Sequence, residues 1–503
     1  MRDYFTDVVS GLTATVTCLL TGLSFILSVS GCGEKLEPVV EHDGGGSSSP
    51  NIVIIFADDQ GYADVGYHNA TDDIRTPVID SLATTGVRMT NGYVTAPQCS
   101  PSRAALMTGM YQQRYGYDRN EFGPLPEGIP TVAQYFRQVG YRTGMVGKWH
   151  LDVTANCDDW YAANVTEEIA ADKNQLNELR QRYWPSSRGF DDCFAGYTDS
   201  FVANFDPDSG VSFPVRMVKA TRERVSLVSQ AAATFIKSNS DEPFFLYVAP
   251  YAPHVPLEAT ADHLARFPSD MPERRRYALA MIAAIDDGVA QIVETLKDEG
   301  IYDNTLIVYM SDNGAPLGID MDDVPITDDS GIWNGSMNTP MNGEKGMITE
   351  GGVHIPFLIH WPGGVPAGKI IDEPVSSLDA VYTALKIAGV SPDILAQLDG
   401  IDLMPAILHD ETYLGERPLF WRFSKQSAIR VGNWKYLRTS AQNAYLFYMT
   451  QPELASKNVI EMNPTLAGQL DELLTSWEST LMRENEPGTT EPENYTWYLT
   501  APK

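Results

Sequence analysis

Cys99 opens the stretch Cys99-Ser100-Pro101-Ser102-Arg103-Ala104-Ala105-Leu106-Met107-Thr108-Gly109, a cysteine just ahead of a helical segment with an arginine four residues on. An anion at such a helix start meets free backbone N–H groups and the positive end of the helix dipole. A second set carries different chemistry. Asp58, Asp59, Asp312 and Asn313 offer only oxygen ligands, the donors of a hard cation such as calcium, with magnesium as the alternative. Taken singly these residues have ordinary readings, since Asp-Asp and Asp-Asn pairs serve turns and caps and a buried cysteine packs as a small hydrophobe.

The elements that must position them are legible as apolar runs that each stop at a polar cluster. Residues 51–56 run into Asp58 and Asp59, and 141–146 into Lys148 and His150. Residues 244–248 lead to His254, and 305–310 to Asp312 and Asn313. Strands buried in a parallel or mixed sheet have this texture. Ligands of open α/β sheets sit at the carboxyl ends of the strands, so the four clusters are expected to converge on one site. Loops are polar in any case, but four coincidences of complementary chemistry favour convergence. Apolar residues at helical spacing in 131–139 and 276–296 predict helices packed on that sheet. After about residue 410 the texture changes. Short β-rich runs at 419–423, 428–431, 434–437 and 445–449, with Gly432-Asn433 as a turn, predict a small antiparallel sheet, followed by a helix over 464–482.

The 99–109 stretch matches without a gap the type I sulfatase signature C-x-P-S-R-x-x-L-x-T-G. Gly140-Tyr141-Arg142-Thr143-Gly144-Met145-Val146-Gly147-Lys148-Trp149-His150 matches a second one, G-Y-x-T-x-x-x-G-K-x-H. With both motifs in order, the chain resembles the formylglycine-dependent sulfatases from about residue 51 through the C-terminal sheet. The resemblance implies an α/β fold of the alkaline-phosphatase-like kind: a large mixed sheet flanked by helices, then a smaller C-terminal antiparallel sheet plus helix. It also implies that Cys99 is oxidised to formylglycine (3-oxoalanine) before folding is complete, by a formylglycine-generating or anaerobic sulfatase-maturating enzyme. Asp58, Asp59, Asp312, Asn313 and the modified Cys99 would then bind one calcium ion.

By the same resemblance, Arg103 holds the aldehyde hydrate and neutralises charge, Lys148 grips the sulfate, and His150 contacts the formylglycine hydroxyl and assists the later elimination. His254, in Pro253-His254-Val255-Pro256, and Lys345, in Gly343-Glu344-Lys345-Gly346, contact the sulfate and protonate the departing alcohol. The implied reaction is attack on sulfur by one hydroxyl of the hydrated aldehyde, with Asp312 as base, followed by expulsion of sulfate by the other hydroxyl. The implied substrate is a sulfated carbohydrate, of the carrageenan, ulvan or fucoidan type, with Asn120, Asp152, Arg188, Tyr197 and Trp333 as candidates for the sugar pocket. One departure stands out. Glu350-Gly351-Gly352-Val353-His354-Ile355-Pro356 carries Val-His where the family commonly has a basic residue and Pro, which removes the basis for an arginine contact there; His354 itself reads as a packed or surface histidine.

The whole chain sets the frame. Its 503 residues, 43% hydrophobic and 20% charged, can bury a large core. A net charge of −30 argues against a general nucleic-acid or membrane-surface binder, so a polyanionic substrate needs a locally basic pocket. Residues 1–31 read as a lipoprotein-like export signal ending in Val29-Ser30-Gly31-Cys32, with Cys32 lipidated; a plain transmembrane anchor is the alternative. Residues 32–50, with Gly44-Gly45-Gly46-Ser47-Ser48-Ser49, read as a flexible tether, 51–410 as the catalytic domain and 411–503 as a C-terminal subdomain. The implied location is the periplasm or outer membrane of a bacterium, tethered through the lipid alone. Cys157 and Cys193 either form a disulfide or stay free.

Two rivals remain at this stage. A phosphate or phosphonate ester hydrolase on the same scaffold would call for a Thr or Ser nucleophile or a second set of metal ligands. A non-catalytic sulfated-glycan-binding protein would have lost Cys99, His254 or Lys345.

Overall fold

The structure, a computed structural model, describes residues 49–154, 157–318, 335–409, 414–439, 443–450 and 452–482. The export signal, Cys32, most of the tether and Trp333 lie outside the described residues. So does 410–413, where the subdomain boundary was placed.

Among the described residues, sixteen strands form in chain order. They are β1 (Asn51–Ala57), β2 (Val87–Met89), β3 (Gly92–Tyr93), β4 (Arg142–Gly147), β5 (Asp192–Gly196), β6 (Ser200–Phe205), β7 (Ser212–Lys219) and β8 (Phe244–Ala249), then β9 (Thr305–Ser311), β10 (Phe357–His360), β11 (Lys369–Ile371), β12 (Val375–Ser376), β13 (Pro418–Phe423), β14 (Gln426–Val431), β15 (Trp434–Arg438) and β16 (Ala444–Tyr448). Ten make one mixed sheet in the order β11-β2-β10-β9-β1-β8-β4-β5-β6-β7. Its centre, β9-β1-β8-β4-β5, is parallel throughout.

Strand β1 shows why this sheet must be covered on both faces. Side chains alternate across a strand, and here both alternating sets are apolar. Ile52, Ile54 and Phe56 join one core with Val132, Phe136 and Val381, from the helices Val132–Gln138 and Ser377–Ile387. Val53, Ile55 and Ala57 join another with Ile79, Val228 and Ile285, from the helices Pro77–Thr85, Arg224–Ser238 and Glu273–Asp298.

Parallel pairing has a consequence for the site. It brings the carboxyl ends of β1, β4, β8 and β9 to one edge, in consecutive register: Asp312 N–H donates to Ala57 O, Asp58 N–H to Ala252 O and Lys148 N–H to Ala249 O. Gly147 ends β4 at φ 97°, and a Cβ there would lie 2.0 Å from Ala249 O. Only glycine lets the chain turn so close to its neighbour.

The four runs expected as strands are β1, β4, β8 and β9, and the expected helices span Val132–Gln138, Glu273–Asp298 and Pro464–Glu478. The last ends before Met482, with Thr480 and Leu481 bonded back to Trp477 and Glu478 as a turn. The sequence reading gave no sign of the β5-β6-β7 hairpin edge. Strand β7 is largely exposed and lacks alternation, so its pattern resembles a loop.

β13 to β16 form the expected four-stranded antiparallel sheet. One face packs on the helix Pro464–Glu478 through Ile429, Leu446, Leu470 and Leu474. The other face, with Leu419, Trp421 and Leu437, belongs to the main core, where Trp421 Nε1 donates to Val94 O at 2.8 Å. Cys157 and Cys193 are both buried and free, so the disulfide alternative is set aside.

Candidate active site

Cys99 begins the helix Cys99–Thr108, all of whose residues are buried. Asn120 Oδ1 accepts from Ser100 N–H at 3.0 Å, so the side chain expected in the sugar pocket instead caps the first turn of this helix. Cys99 Sγ lies 3.7 Å from Asp59 Oδ1. Ligand atoms of Asp58, Asp59, Cys99 and His254 all fall within 4.8 Å of one another.

Arg103, one helical turn after Cys99, is fully buried and spends its guanidinium on this cluster. Nε and Nη2 donate to Asp312 Oδ2 at 3.0 and 2.6 Å, Nη1 donates to Lys148 O and Tyr247 OH, and Nη2 lies 3.4 Å from Asp58 Oδ1. Lys148 Nζ is bidentate on Asp58 at 2.9 and 2.7 Å. Lys345 Nζ donates to Asp59 Oδ2 at 2.8 Å. Three carboxylates thus face three cations, all buried.

The charges respond to this crowding. Burial raises the Asp58 carboxyl, but Lys148, His254 and Arg103 together hold it well below the usual carboxylate range. Asp59 is lowered by Lys345 and His254 against the same burial. For Asp312, burial wins over Arg103, and Asp58 adds to it, so its carboxyl is pushed up to about 7. Burial, then Asp312, pushes the Cys99 thiol well above its ordinary value, so an unmodified Cys99 is a protonated thiol and a poor nucleophile.

The donor set fits a cation. Asn313 Nδ2 donates to Asp59 Oδ1 and to Gly314 O, while its Oδ1 is buried without a partner among the described residues. An orphaned amide oxygen beside Asp58, Asp59 and Asp312 completes an all-oxygen set suited to a hard divalent ion. Backbone strain marks the same place. Asp59 (φ 63°) and His150 (φ 57°) adopt the left-handed region that non-glycine residues seldom enter.

His254 Nδ1 donates to Val255 O at 2.6 Å, which fixes the tautomer and leaves Nε2 facing Asp59 Oδ2 at 3.7 Å. Burial, with Lys148 next, lowers it to about 4, so the imidazole is neutral at pH 7 in the absence of substrate. His150 is held well below its ordinary value by burial and Lys148. Its buried Nδ1 has no partner among the described residues.

Lys148, His150 and His254 line one end of a cavity of about 620 Å³, within the range of small-ligand sites. Tyr197 and Asp152 line it too, as expected of sugar-pocket residues. The Tyr197 ring stands 5.6 Å from Lys148 Nζ, and burial pushes the Asp152 carboxyl up to about 6. Arg188 does not line it. Its Nη2 donates to Pro126 O and Ile129 O, clamping a loop, and the residue is 3% exposed. The sequence reading missed Asn177, Arg180 and Trp184, which do line the cavity. They belong to a polar stretch without motif or apolar periodicity, and only the fold turns them toward the site.

His354 is packed, as one of its two readings had it. Its ring meets Tyr62 and Tyr93, and Nδ1 bonds Glu350 Oε2 at 2.9 Å.

Comparison with known proteins agrees with this geometry. Residues 50–390 match the family model described as Sulfatase. The chain is 32% identical over 440 residues to mouse arylsulfatase J, covering 78% of this chain but 64% of that protein, so it spans just under two thirds of that relative. It is 30% identical over 444 residues to pig N-acetylgalactosamine-6-sulfatase, covering 82% and 74% of the two chains. Among solved structures, Ps i-CgsB in complex with k-i-k-neocarrahexaose superposes with a TM-score of 0.71 at 32% identity, covering 88% of this chain and 96% of that one. The chain belongs to the sulfatase family, with the alkaline-phosphatase-like fold, and by that membership is a sulfuric ester hydrolase.

Proposed function

We propose that this chain hydrolyses a sulfate ester on a carbohydrate, using formylglycine at Cys99 and one calcium ion held by Asp58, Asp59, Asp312 and Asn313. The observation that carries this reading is the convergence of Cys99, the oxygen donors and Lys148, His254 and Lys345 at one sheet edge, beside a cavity large enough for a sugar. Charge supports it. Three carboxylates balance Arg103, Lys148 and Lys345, so a divalent cation leaves the site two charges positive, which suits an anionic ester and, still better, the sulfate product.

When present, the hydrated aldehyde supplies the nucleophilic hydroxyl that a buried thiol lacks, and the cation supplies charge that polarises the sulfate. The chain's own residues do the rest. Arg103 fixes the orientation of Asp312, the carboxylate that would accept a proton from the nucleophile. Lys345 is held charged by Asp59 despite its burial, and it donates to the departing alcohol. His254 Nε2 joins it once the negative ester enters and favours the protonated ring. His150, neutral and with an unused Nδ1, is the base of the later step.

The substrate class rests on relatives. N-acetylgalactosamine-6-sulfatase and the neocarrahexaose complex support a sulfated oligosaccharide, of algal type in our reading. Export as a lipoprotein through Cys32 is part of the same proposal, and no helix among the described residues is long and apolar enough to cross a membrane. Cys99 is 1% exposed, so a maturating enzyme must reach it before folding closes the site.

The test is mass spectrometry of the Cys99 peptide after co-expression with a maturating enzyme, alongside sulfate release from p-nitrophenyl sulfate and a panel of sulfated algal oligosaccharides and phosphate release from p-nitrophenyl phosphate, with calcium present. The formylglycine mass together with sulfate release is the expected result. Phosphate release alone, or no release from a modified, calcium-loaded chain, would overturn the reading.

A further inference from the structure

Beyond the groups that meet the ester, the 620 Å³ cavity has a wall built from the helix Lys173–Gln181 and the residues after it. Asn177 and Arg180, three apart and so on one helix face, line it together with Trp184. Arg180 is unusual in its partners. Its Nη2 donates to the Tyr161 hydroxyl and its guanidinium stands 5.6 Å from the centre of the Tyr161 ring. Its Nε is buried with no hydrogen-bond partner, and no carboxylate lies within salt-bridge distance, among the described residues. Arg275 and Arg422, by contrast, are each held at 2.7–2.8 Å by carboxylates.

A half-buried guanidinium that makes no ion pair keeps its charge available to an anion that enters the cavity. In a chain of net charge −30, where carboxylates are abundant, its lack of one is informative. The wall behind it is braced for a fixed position. Trp160 Nε1 donates to the Tyr183 hydroxyl at 3.0 Å, and Trp149 Nε1 donates to Tyr183 O at 2.9 Å. Asp152 lines the same cavity and feels the Arg180 charge, but it makes no hydrogen bond or close ion pair with it among the described residues.

We propose that this wall is a second anion subsite, in which Arg180 binds a carboxylate or sulfate oxygen that the glycan carries in addition to the ester being cleaved. The inference rests on the sulfatase reading above and deepens it, because it makes the preferred substrate at least dianionic. Guanidinium geometry suits a planar or tetrahedral oxyanion, because its parallel N–H groups match the spacing of the oxygens of both. Trp184 supplies an apolar surface for the intervening sugar ring.

The experiment titrates the full, calcium-loaded chain, with Cys99 left unmodified so that nothing is turned over, with four sugars by calorimetry. Two are neocarrabiose monosulfate and neocarrabiose disulfate. The others are chondroitin 6-sulfate disaccharide and its uronate methyl ester. We expect the dianion of at least one pair to bind about 10- to 100-fold more tightly than its monoanionic partner, the contribution of a charge-assisted hydrogen bond. In Arg180→Ala that ratio should fall to near one, and in Arg180→Lys it should be partly kept. Collapse within the neocarrabiose pair identifies a second sulfate as the bound group; collapse within the chondroitin pair identifies a carboxylate.

Three results would overturn the subsite: no preference for the dianion in the wild type, equal weakening of both members of each pair in Arg180→Ala, as lost packing on Tyr161 would give, or no binding of any of the four. Hydrolysis of p-nitrophenyl sulfate by the matured wild type is read separately. Turnover without a charge preference sinks only the subsite, whereas a charge preference without turnover sinks the hydrolase reading and leaves an anion-binding wall.

Discussion

Lys345 reaches the cluster from a loop, 2.8 Å from Asp59, and its two possible services make different kinetic signatures. As proton donor it matters in proportion to the basicity of the leaving group. As a mere counter-charge to Asp59 it matters equally for all esters. We expect Lys345→Ala to lower kcat by about 10²- to 10⁴-fold on a sugar sulfate, the usual range for a general acid, and far less on p-nitrophenyl sulfate, whose phenolate leaves unaided. Equal losses on both would assign Lys345 to charge balance alone. The oxygen donors make a companion expectation. Chelation with EDTA should abolish turnover and lower the melting temperature, with calcium restoring both, because an ion held by these oxygens binds the folded chain and not the unfolded one. Residues such as Lys345 and His254 were legible in the sequence because motifs hold them at fixed spacing. Arg180 was not, and Arg188 was misread, because whether an arginine faces a cavity or spends itself on carbonyls such as Pro126 O depends on packing that no local pattern encodes.

At the scale of elements, buried hydrophobic runs ending in polar clusters made β1, β4, β8 and β9 readable, and parallel pairing explains why their ends meet. The hairpin β6-β7 escaped because an exposed edge strand has no face to alternate against. Long-range caps are equally invisible in sequence. The helix Pro77–Thr85 starts with Pro77, and its N-cap Thr76 makes no side-chain cap. Its free N–H groups are instead met by Asp286, from the middle of the helix Glu273–Asp298, which accepts from Val78 N–H at 3.0 Å and Ile79 N–H at 2.8 Å. Burial outweighs these bonds and pushes the Asp286 carboxyl up to about 6. The native state therefore holds this proton more tightly than the unfolded chain, and stability falls as pH rises from about 4 to about 6 and is flat above. Asp286→Asn keeps an acceptor and removes the charge. Relative to wild type it should stabilise more at pH 8 than at pH 5, by about 1.4 kcal/mol; parallel melting curves across that range would show the capping charge to be harmless.

Across the whole molecule, the small C-terminal sheet meets the catalytic body through a buried ionic joint as well as through the apolar face of Leu419, Trp421 and Leu437. Lys435, on β15 and fully buried, lies 2.9 Å from Glu350 and 2.8 Å from Glu453. Lys435, then His354, hold the Glu350 carboxyl down at about 2 against its burial. Glu453 in turn accepts from Glu350 N–H at 2.6 Å, and its main-chain oxygen accepts from Asn342 Nδ2 at 2.8 Å. Gly351 N–H donates to Asn342 O, and a Cβ on Gly351 would sit 2.0 Å from Gly343 O. Asn342 and Gly343 lead directly into Lys345, so the joint that seats the small sheet also sets the path of the loop that brings the lysine to Asp59. Removing the central cation should thus act twice. Lys435→Met leaves Glu453 buried without its cation and Glu350 with only the more distant Arg430, 3.5 Å away, and should cost about 3–5 kcal/mol in chemical denaturation. It should also depress kcat on a sugar sulfate more than on p-nitrophenyl sulfate, the signature expected of a displaced Lys345. Adding Glu453→Gln to Lys435→Met removes one of the stranded charges and should recover part of the stability, but not the leaving-group signature if the loop has moved. A Lys435→Met chain that loses stability while treating both esters as the wild type does would make the joint a matter of folding alone and leave the placing of Lys345 to the catalytic body.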